Sequence, residues 1–271
     1  MTTQIEEKRV RRMKRSKVLQ FDCKGLNSPC IKWAETRQEL EQAFNLVHDE
    51  YLKLGYINKP DPSGMFFGLH NLLPDTVTLL VKSDSKVVAS LTQVPDTREY
   101  GLPMDSIYRA ELNKLRRKGR KIAELCALVT SSRLRWKNLF MQMSRTMYTH
   151  AACNGIDDFC IMVNPKHVEF YKLIFLFDQL GPEKLYPSLG VPAVALHADL
   201  NQMKQRLKEK YGSLDCNCNL YSYMHTPQGQ YNLPWADDLL PPEKTSWEMM
   251  SHFGIEPAAH QNLYATAVGN A

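Results

Sequence analysis

The sequence predicts a mixed α/β fold in which helices flank a partly parallel sheet. Residues 76–82 and 86–94 form two β-rich runs joined by a short polar turn, which indicates an antiparallel hairpin. Residues 134–153 have the length and spacing of a crossover helix, and they connect two further apolar runs at 121–130 and 158–163. Because a crossover helix joins parallel neighbours, the sheet should contain both antiparallel and parallel pairs.

The first predicted elements are a short strand at 31–34 and an amphipathic helix. Thr36 and Glu39 have the spacing of a capping box, and apolar residues then recur at helical spacing until Gly55 ends the helix. Residues 56–74 are rich in glycine and proline, and they form a segment too long for a bare connection. We expect this segment to be a lid or a loop that contacts the substrate.

The remaining elements follow from changes in hydrophobic period. Pro165 suits the first turn of a helix that begins after Asn164, because the N–H that proline lacks is not needed there. The other predicted elements are a helix at 105–118, strands at 184–187 and 193–199, and a helix at about 199–211.

Composition divides the 271 residues into three predicted parts. They are a basic N-terminal arm at 1–25, a globular domain at 26–211 and an irregular extension at 212–271 packed on that domain. Seven lysines and arginines lie between positions 8 and 17, with too few apolar residues to pack. Such an arm could bind nucleic acid, a membrane surface or an acidic protein, or remain a solvated, disordered tail. No zinc-finger or RNA-recognition signature is present, so nucleic acid is an unfavoured partner.

Cysteine usage and hydropathy indicate a reduced protein of the cytoplasm. The seven cysteines form no CxxC pair, and no export signal precedes them. Cys216 and Cys218, with His225 downstream, provide too few ligands for a closed zinc site, so no metal is expected. No apolar run reaches the roughly 18 residues of a bilayer span. The expected location is therefore the cytoplasm, where the basic arm could hold the protein at the inner membrane surface.

The predicted order of elements resembles the GNAT N-acyltransferase fold. In that fold the central parallel strands part, and the pantetheine arm of an acyl thioester lies in the gap against unpaired backbone groups. The resemblance implies that Tyr171, on the helix after the second of these strands, protonates the departing thiolate. It also implies that Asn164 and His167 position the acyl carbonyl or carry protons. The alternative is that Tyr171 is a core aromatic residue and that His167 caps a turn.

The segment after the predicted strand at 121–130 indicates which thioester is used. Coenzyme A enzymes of this fold usually have a glycine-rich loop there that holds the pyrophosphate, but no glycine lies between Gly119 and Gly155. This favours acyl carrier protein, with its acyl-phosphopantetheine as donor and no permanently bound cofactor. Ser131 and Ser132 are then expected to hold the phosphate. Three cations are expected to face the acidic carrier. The full donor-binding set is Leu128, Ser131, Ser132, Arg133, Arg135 and Lys137. The alternative for the cations is a solvated helix face.

Three longer segments carry a more specific resemblance. They are HDEYLKLGYI at 48–57, the stretch from VPDTREY to IAEL at 94–125, and the stretch from NPKHVEFY to LHADL at 164–200. They resemble N-acyl amino acid synthases of the N-acyl-tyrosine synthase (FeeM) type, a family similar to the acyl-homoserine-lactone synthases. The resemblance implies transfer of a long-chain acyl group to the α-amino group of an amino acid, commonly tyrosine.

The same resemblance implies that Glu124 lies at the reacting centre and takes a proton from the amine. The acyl-homoserine-lactone synthases have an arginine three positions later, where this chain has Ala127. The resemblance therefore does not imply a role in which Glu124 is paired with a cation. The structural alternative is that the Glu124 carboxylate only accepts a hydrogen bond from a neighbouring turn. Asp96 and Asp105 lie in the same matching segments, where a helix-capping aspartate is the simpler explanation.

Two other functions remain open at the level of sequence. One is a GNAT enzyme that transfers an acetyl or acyl group from coenzyme A to a small amine. The other is a non-enzymatic protein whose basic arm binds nucleic acid. The predicted helix at 134–153 contains Met141, Met143 and Met147, which would suit either an ordinary core or the wall of a lipid tunnel.

Overall fold

A computed structural model describes residues 2–16, 19, 26–132, 137–225 and 247–253. Its strands are β1 Pro29–Trp33, β2 Val77–Ser83, β3 Lys86–Pro95, β4 Ile122–Thr130, β5 Asp158–Val163, β6 Asp178–Tyr186 and β7 Val191–Asp199. They form one seven-stranded sheet in the order β1-β2-β3-β4-β5-β7-β6. Strands β4 and β5 are parallel, whereas the other neighbours are antiparallel. The predicted mixed α/β fold is confirmed.

Eight α-helices lie in the described residues, together with short 3-10 helices at Leu69–Leu72 and Cys216–Cys218. They are α1 Thr2–Ser16, α2 Arg37–Lys53, α3 Asp105–Arg116, α4 Lys137–Cys153, α5 Pro165–Ile174, α6 Leu200–Tyr211, α7 Leu220–His225 and α8 Trp247–His252. Within this part of the chain, each helix is too short or too polar to cross a bilayer.

Local signals in the sequence account for several of these elements. Thr36 caps α2 as predicted: its side chain accepts a hydrogen bond from the Glu39 N–H, and the Glu39 carboxylate accepts one from the Thr36 N–H. Strands β2 and β3 form the predicted hairpin. Helix α4 is the crossover between β4 and β5, which explains why these two strands are parallel.

The sheet separates two layers of apolar side chains. On β2, Leu79 and Val81 join the main core, whereas Leu80 between them packs with Ala43 of α2. This alternation is the period of two that a strand imposes on its side chains. The main core holds α4, whose Met141, Met143 and Met147 are fully buried outside the cavity described below. These methionines are therefore ordinary core residues.

Strand β6 starts six residues before the predicted strand at 184–187. Its first part, residues 178–183, reads DQLGPE, which contains glycine, proline and two acidic residues and lacks strand periodicity. The pairing of β6 with β7 shifts register between Gln179 and Glu183. Because β6 is an edge strand with one neighbour, it tolerates residues that a central strand would exclude.

The N-terminal segment differs from the expectation that it cannot pack. Thr2–Ser16 is a helix, α1, with Met13 fully buried and Arg9 6% exposed. The Arg9 Nε donates a hydrogen bond to the Leu173 carbonyl at 2.9 Å, and Lys8 and Arg12 both pair with Glu169 of α5. The segment packs through hydrogen bonds, ion pairs and the aliphatic parts of its basic side chains, which apolar composition does not reveal.

The C-terminal extension contains helices where the sequence indicated irregular structure. Leu220 and Met224 of α7 belong to the main core. Met249 of α8 and the following Phe253 pack against a cluster that includes Phe44 of α2. Helices α7 and α8 have six residues each, which is too short for a helical period to be recognised in the sequence.

Candidate active site

The parallel strands β4 and β5 separate in the middle of the sheet. Their pairing comprises Ile122↔Asp158, Ala123↔Phe159 and Glu124↔Cys160. Strand β4 continues to Thr130 beside β3, and β5 continues to Val163 beside β7. Beyond Glu124 the facing backbone edges of β4 and β5 are not paired with each other, so their N–H and C=O groups can bind a ligand. The predicted splay is confirmed.

A β-bulge accompanies the splay. Ala127 has a φ of 49°, and the register between β3 and β4 shifts between Ser90 and Thr92. An extra residue in one strand increases its local twist, so the bulge turns β4 away from β5 just past Glu124. Ala127 also lines the resulting gap, and its small side chain leaves this gap open.

A cavity of about 1740 Å³ occupies the splay and extends to both faces of the sheet. Glu124 and Cys126 line it beside one layer, and Leu125 and Phe159 line it beside the main core. Residues of the loop at 56–74 also line the cavity, and contact of this loop with the substrate stays a prediction. The lining is mostly apolar, which suits a ligand that is itself largely apolar.

Glu124 is the buried carboxyl group at the start of the splay. It is 1% exposed, and its Oε2 accepts a hydrogen bond from the Met104 N–H at 2.8 Å. Burial, with a smaller contribution from the charge of Asp105, raises its pKa to about 8, although the bond from Met104 opposes this shift. A carboxyl group with this pKa can both accept and release a proton near neutral pH. The bond to a neighbouring turn, which was the structural alternative, is present, and the role of Glu124 as a base stays a prediction.

Asp105 was expected to cap a helix, but the structure shows a different role. The N-cap of α3 is Met104, and the Asp105 Oδ2 accepts a hydrogen bond from the Leu102 N–H at 2.7 Å. Arg116 donates two hydrogen bonds to each of two carboxylates, at 2.6 and 2.7 Å to Asp105 and at 2.7 Å for both to Asp96. Burial opposes ionisation of Asp105, but the bonds from Arg116 and Leu102 keep its pKa below the usual value. This ion-pair network holds the turn that bonds Glu124.

Tyr171 lies on α5 and lines the same cavity as Glu124. Its ring is surrounded by four phenylalanine rings, with centroids 5.4 to 6.2 Å away: Phe140, Phe170, Phe175 and Phe177. Burial raises its pKa to about 12, and its hydroxyl has no hydrogen-bond partner among the described residues. The phenol is therefore protonated and available to a ligand, while its ring serves the aromatic core.

Asn164 and His167 stand at the first turn of α5 and also line the cavity. Asn164 is the N-cap, and its Oδ1 accepts a hydrogen bond from the Lys166 N–H at 3.2 Å. Partial burial and the charge of Lys166 lower the pKa of His167. At neutral pH its imidazole is accordingly mostly neutral.

The expected donor-binding residues fall into three groups. Leu128 lines the cavity, but Ser131 and Ser132 follow β4 outside it. The Ser131 N–H donates to the Val88 carbonyl at 2.8 Å, and the Ser132 N–H donates to the Glu50 Oε1 at 3.1 Å. A phosphate at Ser132 would therefore compete with a carboxylate. Arg133, Arg135 and the side chain of Lys137 lie outside the described residues.

Several cavity residues were not identified from sequence. Tyr51, Tyr56, Phe66 and Tyr186 line the side that contains Glu124 and Cys126, and the ring of Tyr51 lies 5.4 Å from Tyr56 and 5.2 Å from Phe66. The choice of residues 56–74 as a substrate loop pointed to part of this set. Tyr51 and Tyr186 come from distant segments, so no local pattern could bring them together. Among the described residues, no group of histidine, cysteine, aspartate or glutamate is arranged to hold a metal ion.

Comparisons with known proteins agree with this geometry. The family model of FeeM, an N-acyl amino acid synthase, matches residues 42–199. The structure of FeeM, an N-acyl amino acid synthase from uncultured soil microbes, is 27% identical with a TM-score of 0.59, over 66% of this chain and 95% of that one. No curated protein is significantly similar to the chain.

A more distant structure shares the fold. BjaI, a CoA-dependent acyl-homoserine lactone synthase, is 15% identical with a TM-score of 0.55, over 84% of this chain and 99% of that one. At this identity the likeness concerns the fold alone. The FeeM family model, in contrast, covers more than half of the 271 residues. The chain therefore belongs to the FeeM family of N-acyl amino acid synthases, and it is an acyltransferase with a GNAT-like fold.

Proposed function

We propose that this acyltransferase moves a long-chain fatty acyl group from acyl carrier protein to the α-amino group of a tyrosine-like amino acid. The observation that carries the proposal is the large apolar cavity that passes through the splay beside Glu124. Because its family consists of enzymes, the alternative of a non-enzymatic nucleic-acid-binding protein is set aside.

The size and lining of the cavity favour a long acyl chain. Its volume of about 1740 Å³ exceeds the roughly 300 to 1,000 Å³ typical of small-molecule sites. An acetyl group would leave most of this apolar space unfilled. Burying a fatty chain there would contribute about 25 cal/mol of favourable binding free energy for each Å² of apolar surface removed from water.

The acceptor is assigned to the face of the sheet that contains Glu124. Tyr51, Tyr56, Phe66 and Tyr186 provide aromatic rings there. Rings of this kind pack favourably against an aromatic side chain in edge-to-face or offset arrangements. We therefore favour tyrosine or a similar amino acid, whose amine would meet the Glu124 carboxyl group.

The residues near the end of β4 bear on the identity of the acyl donor. No glycine lies between Gly119 and Gly155, and the Ser132 N–H is bonded to the Glu50 carboxylate. The absence of glycine disfavours the close approach of the doubly charged pyrophosphate of coenzyme A. The Glu50 carboxylate opposes a phosphate at Ser132 on either donor, so this bond does not distinguish between them. Acyl carrier protein gains affinity from protein contacts instead, and no permanently bound cofactor is then needed. The exposed cations Arg11 and Arg15 of α1 could also contact an anionic inner membrane surface.

The proposed reaction forms a C–N bond and breaks a C–S bond. Glu124 takes one proton from the ammonium group, and the neutral amine attacks the thioester carbonyl. Free N–H groups at the splayed edge of β4 stabilise the oxyanion. The second amine proton ends on the departing sulfur. Tyr171, whose pKa of about 12 keeps it protonated, donates a hydrogen bond to that sulfur as negative charge develops there.

The proposal is tested by supplying the full-length enzyme with matched donors. The same fatty acyl groups are offered on acyl carrier protein and on coenzyme A, together with a panel of amino acids, and the products are identified by mass spectrometry. We expect N-acyl-tyrosine-like products, formed at least about tenfold faster from the carrier, a difference of about 1.4 kcal/mol. Acetyl coenzyme A with a panel of small amines is supplied in parallel, and faster reaction in that sample would instead support the other GNAT function.

Replacing Tyr171 with phenylalanine should lower kcat by about a hundredfold, with little change in KM or in melting temperature. Only the hydroxyl is lost, so the aromatic packing remains, but the hydrogen bond to the departing sulfur disappears. Steady-state kinetics and a thermal melt measure both effects. Tyr211→Phe is a matched control for kcat, because Tyr211 is also buried, does not line the cavity, and donates its hydroxyl hydrogen to the Ile174 carbonyl. An unchanged kcat for Tyr171→Phe would remove this residue from the mechanism.

A further inference from the structure

The apolar part of the cavity continues beneath the closed part of the sheet. Phe159 pairs with Ala123 on one side and with Ala198 of β7 on the other. These pairs precede Glu124↔Cys160, the last pair before the strands part. Because Phe159 and Ala198 both line the cavity, the cavity extends from the splay in the direction opposite to the open strand ends. We call this extension the inner chamber.

Two helices close the far end of the inner chamber. Met203 and Leu207 of α6 line it, and so do Leu220 and Met224 of α7. Each pair is spaced by four residues, which places both members on the same face of their helix. All four are at most 7% exposed. They form a continuous apolar surface, which we call the end wall.

Helix α7 is held in place by side chains of α4. The Tyr148 hydroxyl lies 3.1 Å from the His225 Nε2, and the His225 Nδ1 lies 3.0 Å from the Tyr221 carbonyl. A neutral imidazole with its proton on Nδ1 satisfies both bonds, since it donates to the carbonyl and accepts from the hydroxyl. The guanidinium of Arg145 also lies over the Tyr223 ring at 5.6 Å. The end wall is thus anchored to the core of the protein.

We propose that the end wall sets the longest acyl chain that the enzyme accepts, with Leu220 and Met224 as its specificity-determining residues. The inference rests on the proposed function in one respect, that the acyl chain occupies the inner chamber. Helix α7 lies beyond residues 42–199, the part matched by the family model. The two residues proposed to limit chain length therefore lie outside the segment that the family model matches.

The test compares product profiles of variants with an equal mixture of saturated donors from eight to eighteen carbons. Leu220→Ala removes three carbon atoms from the end wall, so the preferred chain should lengthen by about two carbons. Met224→Ala should act in the same direction. Ala198→Val adds two carbon atoms inside the chamber and should shift the preference to shorter chains. Leu112→Ala is the matched control, because Leu112 is fully buried on the other face and does not line the cavity.

The profile is read as ratios between products in one sample, so partial unfolding of a variant lowers all products equally. A shift with Leu220→Ala or Met224→Ala, absent in Leu112→Ala, supports the end wall. Unchanged ratios in both α7 variants, with wild-type transfer intact, overturn it and leave the proposed function standing. Failure of the wild type to transfer any fatty acyl group from either donor overturns both.

Discussion

We expect Glu124→Gln to lower kcat/KM at pH 7 by about two to three orders of magnitude, the size of a general-base contribution. Glutamine cannot take a proton from the attacking nitrogen in the transition state. In addition, only the neutral amine remains reactive, about a tenth of the total at pH 7 for a pKa of about 8. The side chain keeps its size and an oxygen that can accept the hydrogen bond from Met104. Steady-state kinetics with saturating donor and varied amino acid measure the effect.

The pH profile distinguishes a base from a purely structural residue. The wild-type reaction needs ionised Glu124, with a pKa of about 8, and an ammonium group whose pKa is also about 8. Its kcat/KM should therefore pass through a maximum near this pH. In Glu124→Gln, kcat/KM should rise with pH and then level off, and the gap to the wild type should narrow. A loss that stays constant across the pH range would exclude Glu124 as the base.

Stability provides an independent control on Glu124. Its pKa rises from 4.5 to about 8 on folding, so between these values the folded protein binds more protons than the unfolded chain. Stability should consequently fall as pH rises through this window, by up to about 1.4 kcal/mol per pH unit, and the fall should be absent in Glu124→Gln. Glu111→Gln, which changes a carboxylate paired with Lys184 outside the cavity, should retain both the fall and the wild-type kinetic profile.

Arg116→Met is expected to lower the free energy of unfolding by about 3 kcal/mol at pH 7. The change leaves the buried carboxylate of Asp105 and the half-buried carboxylate of Asp96 without their shared cation. Breaking a buried ion pair costs about 3 to 5 kcal/mol, and the lower end applies because the Arg116 side chain is 26% exposed. Denaturant titration measures the loss.

The loss of stability in Arg116→Met should be smaller at low pH than at pH 7. Arg116 keeps the pKa of Asp105 low in the wild type, so this stabilisation is present above the usual carboxyl pKa and disappears as pH falls. The difference between wild type and Arg116→Met should shrink in acid. Adding Asp105→Asn to the variant removes the more buried of the two carboxylate charges that lost Arg116, and it should recover part of the stability at pH 7. If the double variant is less stable than Arg116→Met, charge burial is not the cause.

Local signals predicted much of the fold. The Thr36 capping box, the hairpin of β2 and β3 and the crossover helix α4 all depend on neighbouring residues, and all are present. The predictions that differed concern elements without such signals. Helix α1 packs through basic side chains, the start of β6 is an edge strand, and α7 and α8 are too short to show a period.

The site was predicted in part. Glu124 and Tyr171 were chosen through a resemblance, and both line the cavity at the splay. The bond from Met104 to Glu124 joins residues twenty positions apart. The bond between Glu50 and Ser132 crosses eighty-two positions. Neither contact has a local pattern in the sequence.

The sequence by itself determined most of the strands and helices, because periodicity and capping act over a few neighbouring residues. It also supplied the motifs that point to an acyltransferase of this family. Only the tertiary structure decided where β4 leaves β5, which rings face Glu124 and which helices close the inner chamber. These features require contacts between distant segments, and such contacts form only when the whole sheet and its two layers pack together.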